Sequence, residues 1–580
     1  MVRIAIVDNN KLKDMDRKKH VQNICPVNRT GTECIYFEGN KIQIDEVTCI
    51  GCGICANAEP DAIQIINLPE QIKATPIHRY GPNKFVLYSL PTPIFGKVVG
   101  VLGKNGIGKS TAIKVLSGTL KPNFGEVKDA NYDELIKRFK GSETQKFFEK
   151  IKKGEINIAY KPQDIDQIPK NYDGTVHELL KKVDEKKEFQ KIIEQFDLNG
   201  ILENNVKTLS GGELQRVAIA ATFLKNANFY VFDEPTSYLD IKQRLKVSKS
   251  IKELSNENTA VMVIEHDLVV LDHMTELVQI MYGKEAAWGT VSQPRSTREG
   301  INVYLSGFLK EENIRFRNKE IKFYAKPPSE AQKKIKLTEW NEMYKKLDRF
   351  NLGTNKGSVN LNEVVGIVGE NGIGKTTFVR LISGELKPDS EEGISKIRIA
   401  YKPQYLVPNE ELVMEYLADA INKHKTEIID PLNIETLYRS RLSELSGGEL
   451  QKVMVAKALA QDAELILLDE PSAYLDVELR LTVSKVIKDI VEKYHRSCLV
   501  VDHDLLFIDY LSDRVIVCEG KPAVHGLVEG PFTMEEGMNR FLKNLKITVR
   551  RDMESNRPRI NKPDSQMERQ QISEGKLYYT

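Results

Sequence analysis

The sequence predicts an α/β protein in which one parallel-sheet domain occurs twice in tandem, behind a small α+β domain that carries most of the cysteines. Three observations point there. One ordered set of motifs is present twice, at a period far too long for a solenoid. In each copy a short apolar strand runs into a glycine-rich loop and then into a helical pattern. Five of the seven cysteines lie between Cys25 and Cys55, ahead of both copies.

A chain of 580 residues has room for roughly three to five domains. With 41% hydrophobic and 29% charged residues it is a globular mixture. A net charge of +2 names no partner, so attraction to nucleic acid must come from local basic patches. No run approaches the ~18–20 apolar residues that cross a bilayer. Met1–Asp8 is too short and too quickly charged for a secretory signal. The expected location is the cytoplasm, with no membrane partner. Crowded cysteines in a large cytosolic chain read as metal ligands rather than disulfides. Cys498 and Cys518 sit in apolar runs and read as core.

The expected divisions are 1–70 for the cysteine domain, 71–290 and 326–545 for the two copies, and 291–325 and 546–580 for basic connecting segments. The first copy reads GKNGIGKS, KPQ, LSGGELQR, VFDEPTSYLD and IEHD; the second reads GENGIGKT, KPQ, LSGGELQK, LLDEPSAYLD and VDHD. They differ mainly between the glycine loop and KPQ. There the first copy adds a stretch near 133–151 that reads as two short helices around Gly141. Periodicity leaves open whether that hairpin packs on its own domain or docks elsewhere.

Each G-x-x-x-x-G-K-[ST] follows an apolar strand, Val98–Leu102 or Val364–Val368, which is the setting a P-loop needs. The ATP-binding candidates are Gly103, Lys104, Asn105, Gly106, Ile107, Gly108, Lys109, Ser110 and Thr111. Their counterparts are Gly369, Glu370, Asn371, Gly372, Ile373, Gly374, Lys375, Thr376 and Thr377. Backbone N–H groups of such a loop curl around phosphate oxygens, and the following helix adds its positive end. Lys109 and Lys375 supply a point charge. Ser110 and Thr376 offer a hydroxyl to Mg²⁺.

Asp233 and Asp469 end apolar strands, where a carboxylate can hold Mg²⁺. Glu234 and Glu470, next in the chain, can take a proton from the attacking water. Gln163 and Gln404 can reach Mg²⁺ or that water, and His266 and His503 the γ-phosphate.

LSGGELQ resembles the signature of ABC-type ATPases. That resemblance implies two cassettes facing head to tail within one monomer, each nucleotide lying between one P-loop and the other cassette's signature. Site one then pairs its own residues with Ser446, Gly447 and Gly448. Site two pairs with Ser210, Gly211 and Gly212. No catalytic position is degenerate, so both sites are expected to turn over ATP.

The run C-I-G-C-G-I-C supplies Cys49, Cys52 and Cys55 at the spacing of a bacterial ferredoxin, with Glu59-Pro60 where that pattern has Cys-Pro. Cys25-Pro26 upstream completes a set of four for one [4Fe–4S] cluster. Zinc on the same thiolates, or an empty relict fold, are the rival readings. With NRTGTECI, REGIN, NIRFR and RPRINK, the whole chain resembles subfamily E of the ABC proteins, the ribosome-recycling, RNase L inhibitor-type factors. The resemblance implies a ferredoxin-like N-terminal domain with two clusters. Here Leu12, Arg17, Val21 and Glu59 stand where the second cluster's cysteines would be, so one cluster is expected. Leu12 and Val21 suit an apolar replacement core, with Arg17 and Glu59 paired across it. Cys34 falls outside the ligand set.

What the family does then enters as expectation. ATP-driven closure splits ribosomal subunits beside a release factor or its stalled-ribosome paralogue, with the small subunit, its RNA and initiation factors as partners. Tyr80 and Phe85 resemble the family's adenine-stacking aromatics. Arg295, Arg298, Arg315, Arg317, Arg550, Arg551, Arg557, Arg559 and Lys562 suit either RNA phosphates or salt bridges between cassettes. A transporter ATPase, a subfamily F translation factor and a ribosome-bound dormancy protein are the alternatives.

Overall fold

A computed structural model describes residues 3–68, 75–126, 128–323, 335–390, 397–404 and 407–579. Among them the first cassette has a nine-stranded sheet and the second an eight-stranded one, with matching strand order through the centre. Five strands run parallel in each. In the first cassette their order is Ile158–Lys161, Phe229–Asp233, Ala260–Ile264, Val98–Leu102 and Leu277–Lys284. The P-loop strand, VVGVL, is buried at every position, as a central parallel strand covered on both faces must be. Register places Ile264 beside Asp233, and Val101 beside Ile264. The P-loop, the Asp-Glu pair and the His266 segment therefore leave the sheet at one edge, beyond the strands' carboxyl ends, where open α/β sheets bind ligands.

The divisions at 70/71 and 325/326 lie outside the described residues. That at 290/291 cuts the strand Trp288–Val291, and Arg295–Ser296 adds to the same sheet. The helix Thr297–Ser306 follows, burying Ile301, Tyr304 and Leu305 against the first cassette's core. The start of the first connecting segment is thus part of that cassette, because its apolar residues are buried there.

The inserted hairpin comprises helices Tyr132–Arg138 and Glu143–Lys152. Asn131 and Glu134 form a capping box on the first, and Gly141 turns the chain at φ 84°. Phe147 and Phe148 are fully buried, Phe147 edge-on to Phe229 of the central sheet at 4.9 Å. The hairpin packs on its own cassette.

In the N-terminal region, Arg3–Val7 pairs antiparallel with Ile63–Asn67, and Ile35–Glu38 with Lys41–Ile44. Helices Met15–Ile24, Pro26–Arg29 and Ile54–Ala58 complete it. Ile4, Ile66 and Leu68 pack with Val86, Tyr88 and Trp288 of the first cassette, and two of that cassette's polar residues add bonds. The buried amide of Asn83 donates to the carbonyls of Ala5 (3.1 Å) and Ile44 (2.9 Å) and accepts from Ile44 N (2.7 Å). Arg79 adds a two-point ion pair to Glu46.

The arginines of the connecting segments are largely committed to carboxylates. Arg295 meets Glu311 and Glu312, and Arg317 meets Glu478. Arg298 of the first segment bridges to Asp552 of the second, and Arg557 and Arg559 reach Asp272 of the first cassette. For these residues the salt-bridge reading holds: Arg295, Arg317 and Arg557 are buried and need a counter-charge, and exposed Arg298 pairs with the buried Asp552. Arg315 and Lys562 stay exposed, and Arg550 half-buried.

Candidate functional site

Each P-loop closes on its own helix. Gly108 (φ 91°) and Gly374 (φ 99°) end the loops in left-handed conformations. A side chain on Gly108 would strike the Phe85 ring at 2.5 Å, and one on Gly374 would strike Leu352 at 2.6 Å and Phe350 at 2.9 Å. Lys109 and Lys375 open the helices with their ammonium groups turned into the loop. Lys109 donates to the carbonyls of Gly103 (2.7 Å) and Lys104 (2.8 Å), and Lys375 to those of Gly369 (3.0 Å) and Glu370 (2.8 Å). Burial lowers both lysines, Lys109 to about 8. An anion in the loop favours the charged form.

Ser110 Oγ lies 3.4 Å from Asp233 Oδ2, and Thr376 Oγ1 lies 2.7 Å from Asp469 Oδ2. Burial raises both aspartates; Asp469, repelled also by Glu470, reaches about 6. Oδ1 of Asp469 is buried without a hydrogen-bond partner among the described residues. A hydroxyl beside a buried, under-satisfied carboxylate fits a divalent cation.

Glu234 and Glu470 adopt left-handed backbones, φ 47° and 49°. Such a conformation costs of order ~1–3 kcal/mol and persists only when its surroundings enforce it. Here two buried side chains grip the main chain. Lys161 Nζ donates to the carbonyls of Asp233 (2.9 Å) and Glu234 (3.1 Å), and Gln215 Nε2 to that of Glu234 (2.8 Å). Lys402 and Gln451 do the same for Glu470, at 3.3 and 2.7 Å to its carbonyl. The carboxylates are left to Gln163 and Gln404, each 2.7 Å away. His266 Nε2 lies 3.7 Å from Glu234 and 3.1 Å from Lys109; His503 Nε2 lies 3.5 Å from Glu470. Burial, and then the charge of Lys109 or Lys375, lowers both imidazoles, His266 well below its ordinary range. Burial, then repulsion from Asp233, raises Glu234.

The two cassettes meet through these loops. Asn105 N donates to Asp476 Oδ2 (3.2 Å), and Asn371 N to Asp240 Oδ2 (2.9 Å). Asn371 Nδ2 also donates to Tyr238 O, and the Tyr238 and Tyr474 hydroxyls touch at 3.3 Å. Ser210 and Ser446 cap the signature helices Gly211–Leu224 and Gly447–Ala460 in full capping boxes. Gly211 and Gly447 are roofed by the rings of Tyr238 and Tyr474; a side chain on Gly212 would lie 4.0 Å from Asn371 Nδ2 of the opposite P-loop. Glu449 and Lys452, on the second signature helix, act electrostatically on Glu285, which lies beside Gly106 of the first P-loop.

Tyr80 is half exposed, its hydroxyl 3.2 Å from Thr111 Oγ1. Phe85 is half-buried against Gly108. Phe350 stands against Gly374 in the same way.

In the N-terminal domain, Cys25, Cys34, Cys49, Cys52 and Cys55 line one pocket with Val27, Ile35, Ile44, Ile50 and Ile65. Gly51 and Gly53 curl the CIGCGIC loop at φ 73° and 75°. Burial pushes the Cys55 thiol up to about 11 and Cys34 to about 12. Cys34, expected outside the ligand set, shares the pocket and is fully buried. Among the described residues, no three His, Cys, Asp or Glu side chains are grouped to hold a single ion. The neighbouring positions hold no metal-ligating set. Leu12 and Val21 are fully buried in the domain core, and Arg17 is paired with Glu59.

The family description "ABC transporter" matches residues 95–237 and 352–473, one stretch in each cassette. An uncharacterised ABC transporter ATP-binding protein of Methanocaldococcus jannaschii is 46% identical over all of this chain and 98% of its own length. ABC transporter E family member 1 of Arabidopsis thaliana is 41% identical over 100% of this chain and 99% of its own. The chain belongs to subfamily E of the ABC proteins. Two solved structures are similar to this subfamily E chain. One, "Model of ribosome-bound archaeal Pelota and ABCE1", aligns over 100% of this chain and 99% of its own, at 47% identity and a TM-score of 0.93. The other, a complex of archaeal ribosomal stalk protein aP1 and archaeal ribosome recycling factor aABCE1, covers 89% of this chain and 100% of its own, at 47% identity and a TM-score of 0.83. Both cassettes are ATP-binding domains.

Reading motifs alone missed Lys161, Gln215, Asp240 and Tyr238, with their partners Lys402, Gln451, Asp476 and Tyr474. Each pair occupies matching positions in the two copies, and that match was the available signal. Phe350 precedes the first shared motif of its copy, so no motif named it. Among the described residues, no helix is long and apolar enough to cross a membrane.

Proposed function

We propose that this chain is an ATP-driven ribosome recycling factor, splitting subunits beside a release factor or its stalled-ribosome relative. The observation that carries the reading is end-to-end likeness to ribosome-bound ABCE1, N-terminal domain included. ATP joins one P-loop to the opposite signature. The contacts of Asn105 with Asp476 and of Asn371 with Asp240 supply the frame for that closure. Mg²⁺ held by Ser110, Asp233 and Gln163, and by Thr376, Asp469 and Gln404, neutralises phosphate charge. Glu234 and Glu470 accept the proton of the attacking water, giving ADP and phosphate, and the closed state loses its advantage. Motion reaches the N-terminal domain through Asn83 and Arg79, which lie between Tyr80 and Phe85 or beside them.

Cys25, Cys49, Cys52 and Cys55 suit one [4Fe–4S] cluster. The isoleucine-lined pocket, in which Cys25 and Cys55 are buried, favours thiolates only with positive charge inside it. Such a cluster would cross-link the helix junction at Cys25 to the CIGCGIC loop. The second position does not suit one: it is filled by packing and an ion pair. Exposed Arg315 and Lys562 are the basic groups left for RNA phosphates.

Ribosomes incubated with the chain, a release factor and ATP, then sedimented, test the proposal. Free subunits are expected, and Glu234→Gln/Glu470→Gln should bind ATP and stay ribosome-bound. Intact ribosomes carrying the wild-type chain would sink the splitting reading. Iron near four atoms per chain, in anaerobic preparations, is expected for the cluster.

A further inference from the structure

The contacts that join the two nucleotide sites fall into two kinds. Those of Asp240, Asp476, Tyr238 and Tyr474 are the same on both sides of the interface. They would form equally well if a cassette met a second copy of itself. Two ion pairs are different. Lys104 of the first P-loop meets Glu478 of the second cassette at 2.9 Å, whereas Glu370 of the second P-loop meets Lys242 of the first cassette at 2.9 Å. Lys104 and Glu370 occupy the same P-loop position, and Lys242 and Glu478 both lie two residues after the interface aspartate. The polarity is therefore reversed from one site to the other.

We infer that this reversed pair of ion pairs selects the partner across the nucleotide interface: the first cassette closes on the second and rejects another copy of itself. Two first cassettes would set Lys104 against Lys242. Two second cassettes would set Glu370 against Glu478. Both arrangements juxtapose like charges twice, while the unlike pairing satisfies all four. Exposed pairs add little affinity, but like charges across an interface discriminate strongly between partners. Glu478 carries a second bond, to Arg317 at 3.0 Å, so the connecting segment reinforces the first pair.

The inference rests on the composite-site reading, and the test separates the two. Four full-length chains are compared, all carrying Glu234→Gln/Glu470→Gln to retain ATP. The parent has no further change. The second carries Lys104→Glu/Lys242→Glu, the third Glu370→Lys/Glu478→Lys, and the fourth all four reversals. Closure is read from spin labels on the two cassettes as ATP is raised, and mass by sedimentation. Matching thermal melts exclude misfolding. The second and third chains should need about ten-fold more ATP to close. The fourth should recover to within about three-fold of the parent, the shortfall reflecting loss of the bond between Arg317 and Glu478. Mixing the second and third with ATP should give a two-chain complex, because each supplies the charges the other lacks. Normal closure by the second and third chains, no recovery in the fourth, or no complex in the mixture overturns the inference and leaves the composite sites standing. A parent that fails to close on ATP overturns both.

Discussion

Lys161 and Gln215 spend their donors on the main chain of Glu234 and leave its carboxylate free to react. Lys161→Met should therefore slow turnover by about 10²-fold in kcat through misplacement of the base, with KM nearly unchanged and partial rescue by arginine. A Glu470→Gln background isolates site one for that measurement. In the same background, pH reports the base. Burial raises Glu234, so its protonated form persists to a higher pH than an ordinary glutamate's. Turnover should fall on acidification at a pH above the usual carboxylate range and recover as pH rises; an acid limb at the ordinary range would remove Glu234 from the role. In the N-terminal domain, Arg17→Ala and Glu59→Ala should each destabilise by about 1–3 kcal/mol, and the double variant by no more than either, as measured by denaturant melts. At this scale the reactive groups were legible because motif spacing names them. The duplication of Lys161 and Gln215 in the second copy marked them, but their role was not legible, since a side chain that serves a backbone carbonyl has no chemistry that spacing names.

At the scale of elements, the parallel strands could be read directly, because burial on both faces demands continuous apolar runs such as VVGVL and FYVFD. The inserted helices were legible too, but their seat was not: the period of Phe147 and Phe148 gives a face and no address. That address is Phe229, on the central sheet. Phe147→Ala should cost about 3–5 kcal/mol and lower the melting temperature of the first cassette, whereas a surface docking helix would tolerate it. The connecting segments were the least legible elements. Asp272 and Asp552 are far from Arg559 and Arg298 in sequence, and only the fold brings them within 2.5 and 2.9 Å. Composition alone leaves a run of arginines open to RNA or to carboxylates; the carboxylates that the fold brings to them decide for most.

Across the whole molecule, duplication made the composite arrangement readable, while the polar attachment of the N-terminal domain was hidden in Asn83 and the pair of Arg79 with Glu46. Asn83→Ala would leave the carbonyls of Ala5 and Ile44 and the amide of Ile44 unpaired, a loss of about 1–3 kcal/mol for each buried group. Hydrogen exchange should then quicken in Arg3–Val7 and Lys41–Ile44 while both cassettes still bind ATP; unchanged protection would place the joint elsewhere. Asn83 addresses only main-chain atoms, and every residue has those. These bonds are therefore blind to the side chains of the domain's interior, where Ala5 and Ile44 lie. A domain whose interior had been rewritten, with leucine, valine and an ion pair in place of cysteines, would still dock in the same register, so its interior could diverge without renegotiating the joint with the motor.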